Sequence, residues 1–435
     1  MKTLSPVRPL LVWLCLVALL AACGGAAEVP TRAAAALLPA NSAPTGTPPA
    51  ILSADGSESK GGSGALIPAT WTAVPLSQAT AAAATPIRQQ SQQVPLATSV
   101  AAIPTNTPTP TPTGTPTATS EPYVPVMPNV PPTDELGPSK LGLHVIRNND
   151  PAIMEFVRRT QPAVIKAVGD LGFLFEVREA SPRTITIGRI DNGDQSYSGS
   201  PEEAARRYVE ERLDVLRSNP AVDYWEGWNE PDPNLANMTW YARFEAERVR
   251  LLAGHGLRAA IGGFATGVPE LDEFRLFLPA VEAAKEHGGI LSLHEYGAPD
   301  LYYLFGSPLP GQDPAPNRGA LTFRYRWFYE TILEPADLVI PLVISEAGID
   351  GVIGNRPGPE GLGWADFQSY WVEQGLGIDG PDAFINQLYW YDSGVRQDGY
   401  VIGFTLFTAG AIGHWKNYDL NPILPELTDY VLSQQ

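Results

Sequence analysis

Two cysteines in 435 residues exclude a disulfide-stapled scaffold and a cysteine-built zinc or iron–sulfur centre. The five histidines, at 144, 255, 287, 294 and 414, stand at no spacing that a metal site uses, so neither a metal nor another cofactor is expected. There is no Gly-Xaa-Ser-Xaa-Gly elbow, and no glycine-rich fingerprint follows the first apolar strand; a serine esterase and a dinucleotide enzyme are both disfavoured. Positive charge is scarce, with 29 Lys+Arg against 47 Asp+Glu. The first 135 residues hold only 5 and 6 of these, leaving 24 basic and 41 acidic side chains, about −17, on the remainder. That balance argues against nucleic acid or an anionic lipid surface as its partner and suits a neutral ligand. Long apolar runs are missing as well, since the longest, Leu10 to Ala22, is too short to cross a bilayer comfortably.

What is present divides the chain in three. Lys2 and Arg8 precede "LLVWLCLVALL", and the run ends in "LAAC" at Cys23. Residues 1–23 resemble a bacterial lipoprotein signal, which implies cleavage before Cys23, lipid on its thiol, and a protein held on the cell surface by that anchor. Cys15 would leave with the signal. Residues 24–135 are rich in Ala, Pro, Thr and Ser, ending in a near Thr-Pro repeat from Pro104. Such composition cannot bury a core and reads as a disordered, partly polyproline tether.

From residue 136 onward short apolar runs alternate with amphipathic stretches, the pattern of a parallel α/β fold. Eight strand candidates begin at 141, 163, 184, 222, 258, 290, 338 and 401. Ser200-Pro201-Glu202-Glu203 combines an N-cap, an N1 proline and a capping-box glutamate ahead of a helical apolar stripe. Further helices are predicted over 239–253, 269–287 and 320–334. Eight alternations within 300 residues suit a single (β/α)₈ TIM barrel better than an open sheet.

Barrel sites lie at the C-terminal ends of the strands. Those ends carry His144, Lys166, Arg189 with Asp191, Asn229 with Glu230, Phe264, His294 with Tyr296, Glu346, and Thr405 to Phe407. Two of them hold carboxylates in marked settings, "WNEP" from Trp228 to Pro231 and "ISEAG" from Ile344 to Gly348. Here the sequence resembles the clan of retaining glycoside hydrolases on (β/α)₈ barrels. The resemblance implies Glu230 as acid/base, Glu346 as nucleophile, Asn229 on the sugar 2-hydroxyl, Tyr296 orienting Glu346 and His294 lining the pocket. An oligo- or polysaccharide would be the substrate. Trp228 is expected to desolvate Glu230 and, with Trp415, His144 and Arg189, to contact sugar. Glu226 reads as a buried carboxylate holding Lys166 or Arg189. Tyr302, Tyr303, Trp364, Trp390 and Tyr391 read individually as core sooner than as binding surfaces. The clan commonly ends strand eight in tryptophan, whereas "GFTLFTAG" offers Phe404 and Phe407; either Trp415 folds back over the site or its floor differs. A monomer is expected. The rival readings are a non-catalytic glycan-binding lipoprotein and a transglycosylase.

Overall fold

The structure, a computed structural model, describes residues 123–130, 136–190 and 195–435. The signal, Cys23, most of the tether and Asp191 lie outside the described residues. Eight parallel strands close into a barrel in sequence order, β8 pairing β1: β1 Leu141–Val145, β2 Val164–Val168, β3 Ile185–Arg189, β4 Tyr224–Glu226, β5 Ala259–Phe264, β6 Ile290–Gly297, β7 Leu342–Ile349 and β8 Val401–Ala409. The helices are α1 Pro151–Thr160, α2 Leu174–Ala180, α3 Pro201–Ser218, α4 Leu235–Gly254, α5 Leu271–Leu276, α6 Leu278–His287, α7 Tyr325–Phe328, α8 Trp364–Glu373, α9 Gly380–Arg396 and α10 Leu424–Ser433. Among the described residues no helix is long and apolar enough to cross a membrane.

The helix signals hold where local chemistry sets them. Ser200 accepts from Glu203 N at the start of α3, and α6 ends on Gly288 in the left-handed region. Two long helices come out shorter. The predicted 269–287 helix breaks at Phe277 into α5 and α6. The predicted 320–334 helix begins only at Tyr325, because Phe323 takes φ 55°, and passes into a π-helical turn at Tyr329–Leu333. One residue within the predicted tether has contacts of its own. Tyr123 donates to Asp300 Oδ1 and Oδ2 at 3.0 and 3.1 Å and packs edge-on against Tyr303.

The barrel interior is layered, and the layers follow from the two-residue period of its strands. Val164, Ile187, Tyr224, Ala260, Ile290 and Val343, one from each of β2 to β7, make an apolar floor. Two residues further along four of those strands stand Lys166, Glu226, Ser292 and Ser345, all buried. A charged layer inside a barrel, where branched apolar residues ordinarily fill the space, is costly unless every group is paired.

Two bulges carry the chain past that layer. Ile344 pairs Leu293 while Glu346 pairs His294, so Ser345 is the extra residue and both Ser345 and Glu346 reach inward. On β5 the extra residue is Gly263, at φ 64°. A Cβ there would meet Trp228 O at 2.7 Å, so only glycine lets this backbone approach. Its carbonyl accepts from Glu230 N at 2.8 Å. Strand β4 is three residues long, not the eight that "VDYWEGWN" suggests. Arg248, fully buried on α4 with a bidentate Glu245 partner, donates to Trp225 O and Ala260 O. It satisfies carbonyls that a longer ladder would otherwise use.

Candidate active site

Glu346 is the hub. Its Oε1 accepts from Lys166 Nζ at 2.9 Å and from Arg189 Nη1 at 3.0 Å, with His144 Nε2 at 3.6 Å. Its Oε2 accepts from Tyr296 Oη at 2.9 Å and lies 3.6 Å from His294 Nδ1. Burial pushes this carboxyl up, but His294, Lys166 and Arg189 together outweigh it and hold Glu346 well below the usual carboxylate range. It is therefore ionised at neutral pH. His144 is driven the other way by burial and by the neighbouring Lys166 and Arg189, so it is neutral; its Nδ1 lies 2.9 Å from Thr408 Oγ1.

Glu230 faces it from the other side of the ring. Its side chain is 39% exposed, whereas that of Glu346 is 7% exposed. His294 Nδ1 stands 2.9 Å from Glu230 Oε1, and one oxygen from each glutamate lies within 4.8 Å of the other and of that nitrogen. Three such atoms could enclose a cation. Lys166 and Arg189 already supply the positive charge at Glu346, so a divalent ion would enter against two fixed cations. Glu230 also sits at φ 47°, a left-handed backbone that an L-residue occupies at a cost of about 1–3 kcal/mol.

Of the residues singled out in the sequence, His144, Arg189, Asn229, Glu230, His294, Tyr296 and Glu346 come together here. Arg189 Nη1 donates to Asn229 Oδ1 at 2.5 Å. Glu226 holds both of its candidate partners, with Lys166 Nζ at 2.8 Å and Arg189 Nη1 at 3.6 Å. Trp415 meets Phe407 edge-on at 5.0 Å, and Phe407 in turn lies 4.8 Å from the His144 ring and 6.3 Å from that of Tyr296. The indole thus folds back onto Phe407, near the end of β8. Trp364, Trp390, Tyr391 and Tyr302 are buried packing residues.

Trp228 departs from its expected place. Its ring is 4% exposed and packs against Trp240, Tyr241 and Phe244 of α4 and against Tyr197. With its faces covered it offers no stacking surface to a sugar, and Glu230 is neighboured by His294 instead of by this indole. Trp228 lies beyond the end of β4 at Glu226, so strand alternation does not direct its ring into the mouth.

Sequence reasoning missed Asp350. Tyr418 Oη donates to its Oδ1 at 2.8 Å. Burial is the main cause raising this carboxyl, and Glu230 and Glu346 lie near enough to raise it further. No local signal marked it, since Asp350 lies one residue beyond the end of β7.

The outward face of β6 holds a second buried carboxylate, Glu295, which accepts from Phe323 N at 2.7 Å, Tyr325 N at 3.1 Å and Tyr391 Oη at 2.7 Å. It ties the strand bearing His294 and Tyr296 to α7 and α9. Burial pushes its pKa up to about 7 despite those donors. The folded state therefore holds this proton more tightly than the unfolded chain does. Its contribution to stability is full below about pH 4.5 and is lost as pH rises through about 7. A Glu295→Gln variant lacks that titration. In urea unfolding at pH 4.5 and 8, wild type should lose about 3 kcal/mol relative to the variant across the interval; a constant difference would show that Glu295 does not titrate there.

No protein-family profile matches the chain, and no curated protein matches it either. Solved structures with a similar fold include XacCel5A, 12% identical over 68% of this chain and 99% of that one with a TM-score of 0.36. The endo-1,4-β-D-mannanase of Thermotoga petrophila RKU-1 is likewise 12% identical over 68% and 99%, at 0.35. The Ruminococcus gnavus β-glucuronidase is 11% identical over 67% of this chain and 50% of its own, at 0.40. At such identities and scores these likenesses carry no functional argument. The functional reading rests on the site itself.

Proposed function

We propose that this chain is a glycoside hydrolase that cleaves O-glycosidic bonds with net retention, Glu346 acting as nucleophile and Glu230 as acid and then base. The supporting observation is the spacing of two carboxyl oxygens within 4.8 Å of each other at one barrel mouth. Retaining pairs stand about 5–5.5 Å apart, whereas inverting pairs need roughly 6.5–9.5 Å to admit a water.

The two environments suit two roles. Glu346 is anionic, buried and fixed on both oxygens, as an attacking group requires. Oε1 faces two cations whereas Oε2 accepts from the Tyr296 hydroxyl, so Oε2, on the His294 side, is the oxygen whose remaining electron pair attacks the anomeric carbon. Glu230 is at the rim, where it can protonate the departing oxygen and later accept a proton from water. Asn229 has its Oδ1 bound by Arg189, which leaves its Nδ2 to donate to the sugar 2-hydroxyl. Phe407, Trp415 and Tyr418 form an aromatic wall against which a pyranose face can stack.

Proton NMR of the first-formed product from an aryl glycoside tests the reading: the anomer released by the full-length chain should match that of the substrate, and initial release of the opposite anomer would refute it. A sugar-linked product in place of free sugar would mark the same chemistry as transfer to an acceptor. We infer as well that lipid on Cys23 anchors the chain at the cell surface, a reading supported by the "LAAC" sequence. Labelled fatty acid should enter wild type and not Cys23→Ala.

A further inference from the structure

The charged layer beneath the two glutamates has more than a packing role. Lys166, with no exposed surface, donates to Glu346 Oε1 at 2.9 Å and to Ser345 Oγ at 3.2 Å, and forms an ion pair with Glu226 Oε2 at 2.8 Å. Glu226 is fixed from its other oxygen by Ser292 Oγ at 2.7 Å, and Ser292 also bonds Ser345 Oγ at 2.8 Å. Two buried cations, Lys166 and Arg189, thus face two buried anions, Glu226 and Glu346. The charges balance only while Glu346 is a carboxylate.

Retaining hydrolysis removes that balance and restores it. In the first step the Glu346 Oε2–C1 bond forms, the C1–O bond to the leaving group breaks, and the Glu230 proton passes to the leaving oxygen. Glu346 is then a neutral ester whose carbonyl oxygen, Oε1, still faces both cations. In the second step water attacks C1, its proton goes to Glu230, and the C1–Oε2 bond returns its electron pair to the carboxylate.

Building on the retaining reading, we propose that Lys166 and Glu226 form a positioning pair that divides the barrier between the two steps. Lys166 stabilises the carboxylate as it leaves C1, and Glu226 is the permanent counter-anion that keeps the two cations from pinning Glu346 before it attacks. The opposing roles give opposite signatures. Lys166→Met leaves one cation against two anions in the resting site and a balanced intermediate, so departure of the sugar from Oε2 loses its drive. Glu226→Gln leaves two cations on one anion, so attack is slowed.

The test uses the full-length chain and the dinitrophenyl glycoside it turns over best. For Lys166→Met, kcat should fall on the order of 100-fold with a parallel fall in KM, and a pre-steady-state burst should appear. For Glu226→Gln, kcat/KM should fall by a similar factor with no burst. The acid limb of the pH profile should move up in the first variant and down in the second. The charged and titratable groups facing Glu346 are otherwise unchanged in both: His144 on β1, Arg189 on β3, Glu230 beyond β4, His294 and Tyr296 on β6 and Asp350 beyond β7.

Either single variant leaves a buried charge without its partner and is at risk of misfolding. The double variant Lys166→Met/Glu226→Gln removes both, and its kcat/KM should recover toward wild type relative to Glu226→Gln. Equal losses in kcat and kcat/KM in both single variants with an unmoved acid limb, or a double variant no faster in attack than Glu226→Gln, would reduce the pair to a structural role. Failure of the parent reading would look different: the wild-type chain itself would show no turnover or the wrong anomer.

Discussion

Glu346→Gln is expected to lower kcat on dinitrophenyl glycosides by roughly 10⁵-fold, the scale seen when a nucleophile that works as part of a unit is removed. The amide keeps the shape of the carboxyl and its place beside Tyr296, but it has no charge with which to attack. In Glu346→Gly the vacated space admits azide, which attacks C1 from the same side. Turnover should then return with azide, giving a glycosyl azide of opposite configuration to the substrate. A variant that keeps more than a few per cent of wild-type kcat, or azide that rescues nothing, would remove Glu346 from the nucleophile's role.

The same substitution reads out the electrostatics of the site. Burial raises the Glu346 carboxyl, and the surrounding His294, Lys166 and Arg189 lower it by more. A carboxyl depressed on folding contributes stability that is present above its unfolded value, near 4.5, and is lost as pH falls through the folded value. Wild type should therefore exceed Glu346→Gln in unfolding free energy at pH 7 by about 3–5 kcal/mol, the cost of stranding a buried cation. The gap should narrow as the solution is acidified below pH 4.5. Removing Lys166 as well should recover part of the loss at neutral pH, since the two residues are in contact at 2.9 Å and couple directly.

Much of this site is visible in the sequence because strand ends are. Glu230 stands between the strand-like "VDYWEGWN" and Pro231, and Glu346 closes the run "LVIPLVISE", and the closure of eight alternating units puts strands four and seven across one mouth. Glu226 was legible by the same means, as a charge in a run otherwise suited to burial. Trp228 was not, because alternation is informative only while a strand is paired, and β4 ends when Arg248, twenty-two residues later, takes the carbonyl of Trp225. The bulges at Gly263 and Ser345 were equally hidden. A one-residue surplus is defined by the partner strand's register, and nothing within "AIGGF" or "VISEA" states which residue is extra. Asp350 became a site residue through Tyr418, a contact between two loops that share no local pattern.

Glu230 makes the opposite case to Glu346, and the difference between them is the sharpest check on their roles. Glu230→Ala should lower kcat/KM by about 10²–10⁴ for glycosides with alkyl or sugar leaving groups, which need a proton to depart. For dinitrophenyl glycosides, whose leaving group needs none, kcat/KM should stay near wild type. Even there kcat should fall, because water then attacks the glycosyl-enzyme without a base, and a burst should mark the accumulated intermediate. Azide should restore turnover with a glycosyl azide of retained configuration, the other anomer from that given by Glu346→Gly. A variant that loses equally on both classes of leaving group would deny Glu230 the acid's role. Stability supplies an independent line. The residue is at φ 47°, where glycine is at ease and glutamate is not, and its rim position leaves little burial to lose. Glu230→Gly should accordingly be more stable than Glu230→Ala by about 1 kcal/mol in urea unfolding while being just as inactive on unactivated glycosides. A side chain kept where the backbone would be more stable without one is kept for what its carboxyl does. If the glycine variant gains nothing, the left-handed turn is set by the Gly263 carbonyl bond and the strain argument for a functional Glu230 falls, leaving the leaving-group dependence to decide.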